Sequence, residues 1–294
     1  MHGSSLVVLT SSALAVFSFA GLAQAEPVAV SGSVTLNYLS SQMLSTDDDD
    51  SWNSFNGFSG EGYVRFEFPS GLILTTDMSV LYRDLSPYGN PVNEYRDQGP
   101  REYRVLGLHV GKDFGSYYAG GFGAVGFQQT DLDYTILRPG FIVGIEGKRD
   151  VGAFTLFGQL GYIDWRYGSW AAHPTPDNGF TGVMVRIGST YQINDRLSAM
   201  FDFEYGYSGG YFEDYGDWGE AMVGQIQVAY AVNDRMDLIA GYEYGQFRAN
   251  TEDDGYESNF TLGVRFNFGG ASGFNPLSTP VQGFAAAGWA KTTD

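Results

Sequence analysis

Residues 260–268 read Phe-Thr-Leu-Gly-Val-Arg-Phe-Asn-Phe, and this stretch decides the fold. Phe260, Leu262, Val264, Phe266 and Phe268 take every second place, with Thr261, Gly263, Arg265 and Asn267 between them. A strand turns successive side chains to opposite faces, so the segment has one apolar and one polar face. The same alternation returns along the chain, giving twelve segments at 28–40, 56–68, 72–83, 102–111, 116–127, 140–149, 153–165, 180–191, 197–208, 219–231, 236–248 and 258–268. No helical pattern is present to cover so many half-apolar strands. Their apolar faces are therefore expected to meet lipid, and their polar faces to line an interior. The chain reads as all-β: a transmembrane antiparallel up-and-down β-barrel of about twelve strands.

The connections alternate in length, which is independent support. Pro69-Ser70-Gly71, Lys112–Gly115, Asp150-Val151-Gly152, Gln192–Arg196 and Val232–Arg235 are tight turns, rich in the Gly, Asn and Asp that accept unusual backbone angles. Longer polar loops lie between them near 41–55, 84–101, 128–139, 166–179, 209–218 and 249–257. Short turns on one side and long loops on the other are expected of the periplasmic and extracellular ends of a barrel. A repeat supports the hairpin register. Tyr191-Gln-Ile-Asn194-Asp195-Arg196 returns one hairpin later as Tyr230-Ala-Val-Asn233-Asp234-Arg235, and Glu204-Tyr205-Gly206 returns as Glu243-Tyr244-Gly245.

Composition fits this reading. The chain holds 20 Tyr, 22 Phe and 41 Gly but no Cys, and its mean hydropathy is slightly negative. A helical membrane protein would show uncharged apolar runs of about eighteen residues or more. The one such run is at the N-terminus, over 5–25, and ends Ala23-Gln24-Ala25 before Glu26. An apolar run closed by an A-x-A site reads as a cleavable signal peptide over 1–25, with an uncleaved anchor as the alternative. It carries no Asp, Glu, Lys or Arg, so the net charge of −18 belongs to the remainder. So acidic a chain is not expected to bind nucleic acid. The absence of Cys removes disulfides, thiolate metal sites and a Cys nucleophile.

The expected organisation is signal peptide 1–25, barrel 26–268 and a Gly/Ala/Ser-rich tail 269–294, with export to a bacterial outer membrane. The tail is expected on the periplasmic side, with an inward-folded plug as the alternative.

Gly32-Ser-Val-Thr-Leu-Asn-Tyr38 resembles the first strand of proteobacterial porins, and Thr261-Leu-Gly-Val-Arg-Phe-Asn-Phe268 resembles the final-strand signal read by the barrel insertion machinery. The chain as a whole resembles Gram-negative outer-membrane β-barrel porins. In that family the terminal aromatic usually ends the chain, whereas here 269–294 follow it. The resemblance implies a passive diffusion channel, a lipid and lipopolysaccharide environment and the insertion machinery as a partner. A homo-oligomer is compatible with it.

With the apolar face outward, the inward set includes Glu61, Arg65, Glu67, Asp77, His109, Glu146, Lys148, Arg186, Asp202, Glu204, Asp237, Glu243 and Arg265, together with Gln225 and Gln227. These are the candidate pore-lining residues. In one reading they bias which solutes pass, as charged rings do in channels. In the other, Arg and carboxylate pair across the lumen and seal it. Twelve strands fall between the roughly eight that side chains fill and the roughly sixteen that leave a channel. Inward Gly144, Gly161, Gly206, Gly241 and Gly263 favour a narrow open pore, and the surplus of acids favours cations or polar neutral solutes.

The 84–101 loop, bounded by Arg83 and Arg101, is the candidate partial lid. Acidic runs at Asp47–Asp50, at Glu213, Asp214 and Asp217, and at Glu252, Asp253, Asp254 and Glu257 read as solvated loops that divalent ions could bridge to lipopolysaccharide. No EF-hand spacing, cofactor motif or metal-ligand spacing is present. Tyr38, Tyr82, Tyr162, Trp165, Tyr205, Tyr207 and Tyr244 near the loop ends, and Tyr191, Tyr230 and Phe268 near the turn ends, are expected to form two interfacial girdles. Only His109 and His173 follow the signal segment, and no G-x-S-x-G is present, so no enzyme is expected. The sequence points to a diffusion channel for small hydrophilic solutes with cation preference. The alternative is a closed-lumen structural or adhesive barrel.

Overall fold

The computed structural model describes residues 27–45, 52–84, 102–129, 137–166, 179–208, 219–249, 252–270 and 273–280. Twelve strands are formed: β1 (Ala29–Ser45), β2 (Trp52–Glu67), β3 (Leu72–Asp84), β4 (Glu102–Asp113), β5 (Tyr117–Gln129), β6 (Leu137–Val151), β7 (Phe154–Arg166), β8 (Gly179–Asn194), β9 (Leu197–Ser208), β10 (Gly219–Asn233), β11 (Met236–Ala249) and β12 (Glu252–Phe268). Each pairs antiparallel with its neighbours in sequence, and β1 pairs with β12 from Gly32↔Phe268 to Ser45↔Gly255, so the sheet closes. Closure leaves no strand edge with unpaired N–H and C=O groups, which hydrocarbon would not satisfy.

The two faces follow the alternation. On β1, Ser33, Thr35, Asn37 and Leu39 are buried inside, while Val34, Leu36 and Tyr38 are exposed outside. Leu262 on β12 is 66% exposed and Ile145 on β6 is 64% exposed. An apolar belt of this kind around a closed sheet is a lipid-facing surface, and the fold is an outer-membrane-type barrel. Rings gather at both rims. Phe114 stacks on Tyr117 at 4.7 Å and Phe154 on Tyr191 at 4.4 Å at the turn end, while Tyr38 meets Phe58 edge-on at 5.7 Å toward the loop end.

The tight turns use the chemistry their sequences offer. Gly71, Gly115 and Gly152 have φ of 80°, 90° and 63°, the left-handed region that favours glycine. In both copies of the repeat the Asn carboxamide closes the turn. Asn194 Oδ1 accepts from the Arg196 N–H at 2.9 Å, and Asn233 Oδ1 accepts from the Arg235 N–H at 2.9 Å.

The strands run further toward the loop end than the periodicity indicates. β1 continues to Ser45, β2 starts at Trp52 and β12 starts at Glu252, so Glu252, Asp253 and Asp254 lie in strand rather than loop. A crossing needs about 9–11 residues. Beyond the hydrocarbon both faces meet water, so pairing continues where alternation stops. The segment 1–25, the loop residues 85–101, Asp47–Asp50, Glu213, Asp214, Asp217 and His173 lie outside the described residues.

Candidate functional site

Beyond β12 the described residues stay with the barrel. From Phe268 it passes Gly269 and Gly270, at φ 65° and 79°, and residues 273–280 run inside the lumen. The expectation of a periplasmic tail is therefore corrected over this stretch, and the inward alternative holds there. The physical reason lies in what the segment offers the wall. Leu277 joins Ile73, Tyr118, Phe157 and Met200 in a buried apolar cluster, with Phe274 packed against it. Burying a leucine side chain is worth roughly 1.5–3 kcal/mol.

Polar groups fix the segment lengthwise. Arg186 Nη1 donates to the Ser278 carbonyl at 2.8 Å, and Gln159 Nε2 donates to the same oxygen at 3.3 Å. The Thr279 N–H donates to Asp77 Oδ2 at 2.5 Å, and the Thr279 hydroxyl donates to Asp77 Oδ1 at 2.8 Å. His109 Nε2 lies 3.3 Å from that hydroxyl and 3.4 Å from Asp77 Oδ2.

Behind these contacts stands a buried charge network. Arg186 bonds Asp202 at 2.7 Å, reaches Glu204 at 3.4 Å and lies over the Phe157 ring at 5.3 Å. Glu146 lies 2.8 Å from His109 Nδ1 and accepts from Tyr118 at 3.0 Å and from Gln159 at 3.0 Å. On the other side of the lumen Arg265 and Asn267 both donate to Asp237, at 2.7 Å and 2.9 Å, and Arg265 lies over the Phe274 ring at 5.0 Å.

Asp77, His109, Glu146, Arg186, Asp202, Glu204, Asp237 and Arg265 are all buried. Arg65 and Glu67 pair at 2.7 Å near the turn end, and Lys148 and Glu243 are half-buried. Glu61 faces the lumen, is exposed there, and makes no hydrogen bond or ion pair among the described residues. Glycines expected to widen the lumen are mostly covered. A Cβ on Gly144 would lie 2.7 Å from the Phe122 ring, and one on Gly241 would lie 2.5 Å from Thr261 Oγ1. Small residues on this wall give the neighbouring side chains somewhere to lie.

Among the described residues, spaces lie on both sides of the segment. Toward the loop end is a cavity of about 140 Å³ walled by Thr35, Asn37, Ser59, Glu61, Gln225, Gln227 and Thr261, with Phe274, Ser278 and Thr279 as its floor. At the turn-end mouth a space of about 350 Å³ lies between Lys148, Asp150, Thr155, Gln192 and the other side of Phe274 and Pro276.

The contribution of Phe274, Leu277, Ser278 and Thr279 was not legible in their own sequence, which neither alternates nor carries charge. The wall held a faint sign. In register Asp77 stands opposite Gly107 and Tyr63, so neither residue directly across from it supplies a cation.

Glu146, His109 and the Thr279 hydroxyl form a line that resembles a hydrolase triad. The hydroxyl proton, however, is directed to Asp77 at 2.8 Å, and Asp77, His109, Glu146 and Thr279 are all buried.

No protein-family model and no curated protein matches the chain. Among solved structures, an outer membrane channel from Pseudomonas putida F1 is similar at TM-score 0.57 and 10% identity, covering 84% of this chain and 98% of that one. The translocator domain of the autotransporter NalP from Neisseria meningitidis reaches 0.45 at 10% identity, covering 85% and 90%. The Pseudomonas putida toluene transporter TodX reaches 0.44 at 9% identity, covering 82% and 90%. The first likeness shows the fold.

Proposed function

We propose that this protein is a channel for small hydrophilic solutes in the outer membrane of a Gram-negative bacterium, narrowed by its own C-terminal segment. One observation carries the reading: residues 273–280 are held between two lumen spaces by wall side chains, not by strand pairing. A segment so held can shift without opening the backbone ladder that closes the barrel. The likeness of fold to an outer membrane channel supports the same reading.

Passage is diffusive, down a gradient, through the cavity beside the segment. The wall residues set its selectivity. Arg186 and Arg265 are each paired with carboxylates, while Glu61 makes no ion pair among the described residues. The field in the cavity is therefore negative, and cations or polar neutral solutes pass in preference to anions. Export depends on removal of 1–25, and lipids with divalent-bridged lipopolysaccharide surround the loop end. The paired charges favour a second reading, in which the barrel stays sealed and serves as a surface structure.

Single-channel conductance of the refolded chain, with reversal potential across a KCl gradient, separates the two. Small discrete steps with cation preference are expected. A folded barrel that stays silent, both as the natural chain and as Thr279→Pro, overturns the channel reading.

A further inference from the structure

The groups that hold Ser278 and Thr279 recognise one chemical pattern, and the pattern is not confined to this segment. The peptide unit between the two residues lies across the lumen. Its carbonyl accepts from Arg186 and Gln159, while its N–H donates to Asp77. The hydroxyl that follows, separated from the nitrogen by two carbons, donates to the second oxygen of the same carboxylate. Asp77 thus receives two donors side by side, and a secondary amide is read at both ends.

The wall is shaped for this contact. Gly107 lies opposite Asp77 in register, and a Cβ there would collide with both Asp77 Oδ1 and the Thr279 hydroxyl. Asp77, Arg186 and Gln159 are each more than nine-tenths buried, so their hydrogen-bonding groups have exchanged water for the segment. Sites built to bond a particular N–H or O–H discriminate strongly against solutes that lack it, because their own polar groups would then stay unpaired.

We infer that Asp77, Arg186 and Gln159 form a solute-binding site for secondary amides bearing a hydroxyl two carbons from the nitrogen, and that residues 278–279 occupy it as an internal surrogate. This deepens the channel reading and rests on it. N-acetylated 2-amino sugars and short seryl or threonyl peptides carry the pattern. In both, nitrogen, two carbons and hydroxyl follow in the same order as in Thr279. The two carboxylate-bound donors favour a neutral amide over a simple anion, since Asp202 and Glu204 already neutralise Arg186.

The test uses the full chain with Thr279→Pro, which removes both donors to Asp77 and leaves the wall unchanged. Folding is checked by the heat-dependent gel shift of an intact barrel. Binding is measured by calorimetry in detergent, and block by noise in single-channel current, with N-acetylglucosamine, N-acetylthreonine amide and glucose as probes. At least one amide should bind and block at concentrations where glucose does neither, and adding Asp77→Asn should weaken it at least tenfold. Preference for the sugar or the threonine amide tells which source the site serves. Equal behaviour of all three probes, or block unchanged by Asp77→Asn, overturns the inference and leaves the channel reading in place. Selective binding to a barrel that never conducts keeps the site and removes the channel.

Discussion

The lumen wall has two arcs, built from the same alternating strands and put to different ends. From β3 to β9 many of the inward side chains are large or charged. Tyr118, Phe122 and Phe157 lie over Gly111, Gly144 and Gly188, and the buried charges close around Ser278 and Thr279. From β10 round to β2 more of them are small and polar, and they supply most of the wall of the cavity of about 140 Å³, which residues of β3, Val105, Arg186 and Met200 complete. The difference separates two properties that alternation alone merges. A two-residue period decides which side chains point inward, while their volume and pairing decide whether the inside is empty.

Removing Arg186 should break this contrast most strongly. Arg186→Ala leaves Asp202 and Glu204 buried without a partner, and losing one member of a buried ion pair costs about 3–5 kcal/mol. Urea unfolding in lipid vesicles should show that loss, and a smaller one for Arg265→Ala, because Asp237 keeps its bond from Asn267. Equal losses would mean that the two arcs do not differ in how much they depend on charge pairing.

A substitution on the outer face provides the control. Leu262→Arg puts a cation against lipid, with an expected cost of about 2–4 kcal/mol at mid-bilayer. Conductance of the folded fraction should stay at the natural value, since neither arc is touched.

The segment can be displaced from the wall side too. Gly107→Val drives a side chain into the Asp77–Thr279 contact. Overpacking of this kind costs about 1–3 kcal/mol, and single-channel conductance should rise as the segment gives way. Gly245→Ala on the open arc meets Val223 only at 3.6 Å, so it should alter neither quantity.

The smallest expected effect on stability is at Glu61. Glu61→Gln should stay within about 0.5 kcal/mol of the natural chain, as unpaired exposed positions usually do. The reversal potential should move toward loss of cation preference. No movement would place the selectivity elsewhere on the wall.

Much of this architecture could be read from residues alone. Tyr38 outward and Asn37 inward, the turn at Asn194-Asp195-Arg196 and the pairing of β1 with β12 all follow from period, turn chemistry and an even strand number. The pairing of Arg265 with Asp237 was within reach, because the two stand opposite each other in register. The course of residues 273–280 was not. A segment with no strand partner leaves no periodic trace, and its bonds run to residues up to 202 positions away. Such contacts appear only after the wall has brought Asp77 and Arg186 to face one another.

The way the segment is attached also bears on how such a barrel can diversify. Wall residues answer to three demands at once: the ladder, the lipid and the interior. Residues 273–280 answer only to the interior. Exchanges there can reset the aperture and its chemistry while the costly membrane scaffold is inherited intact, much as a key blank is recut without remaking the lock.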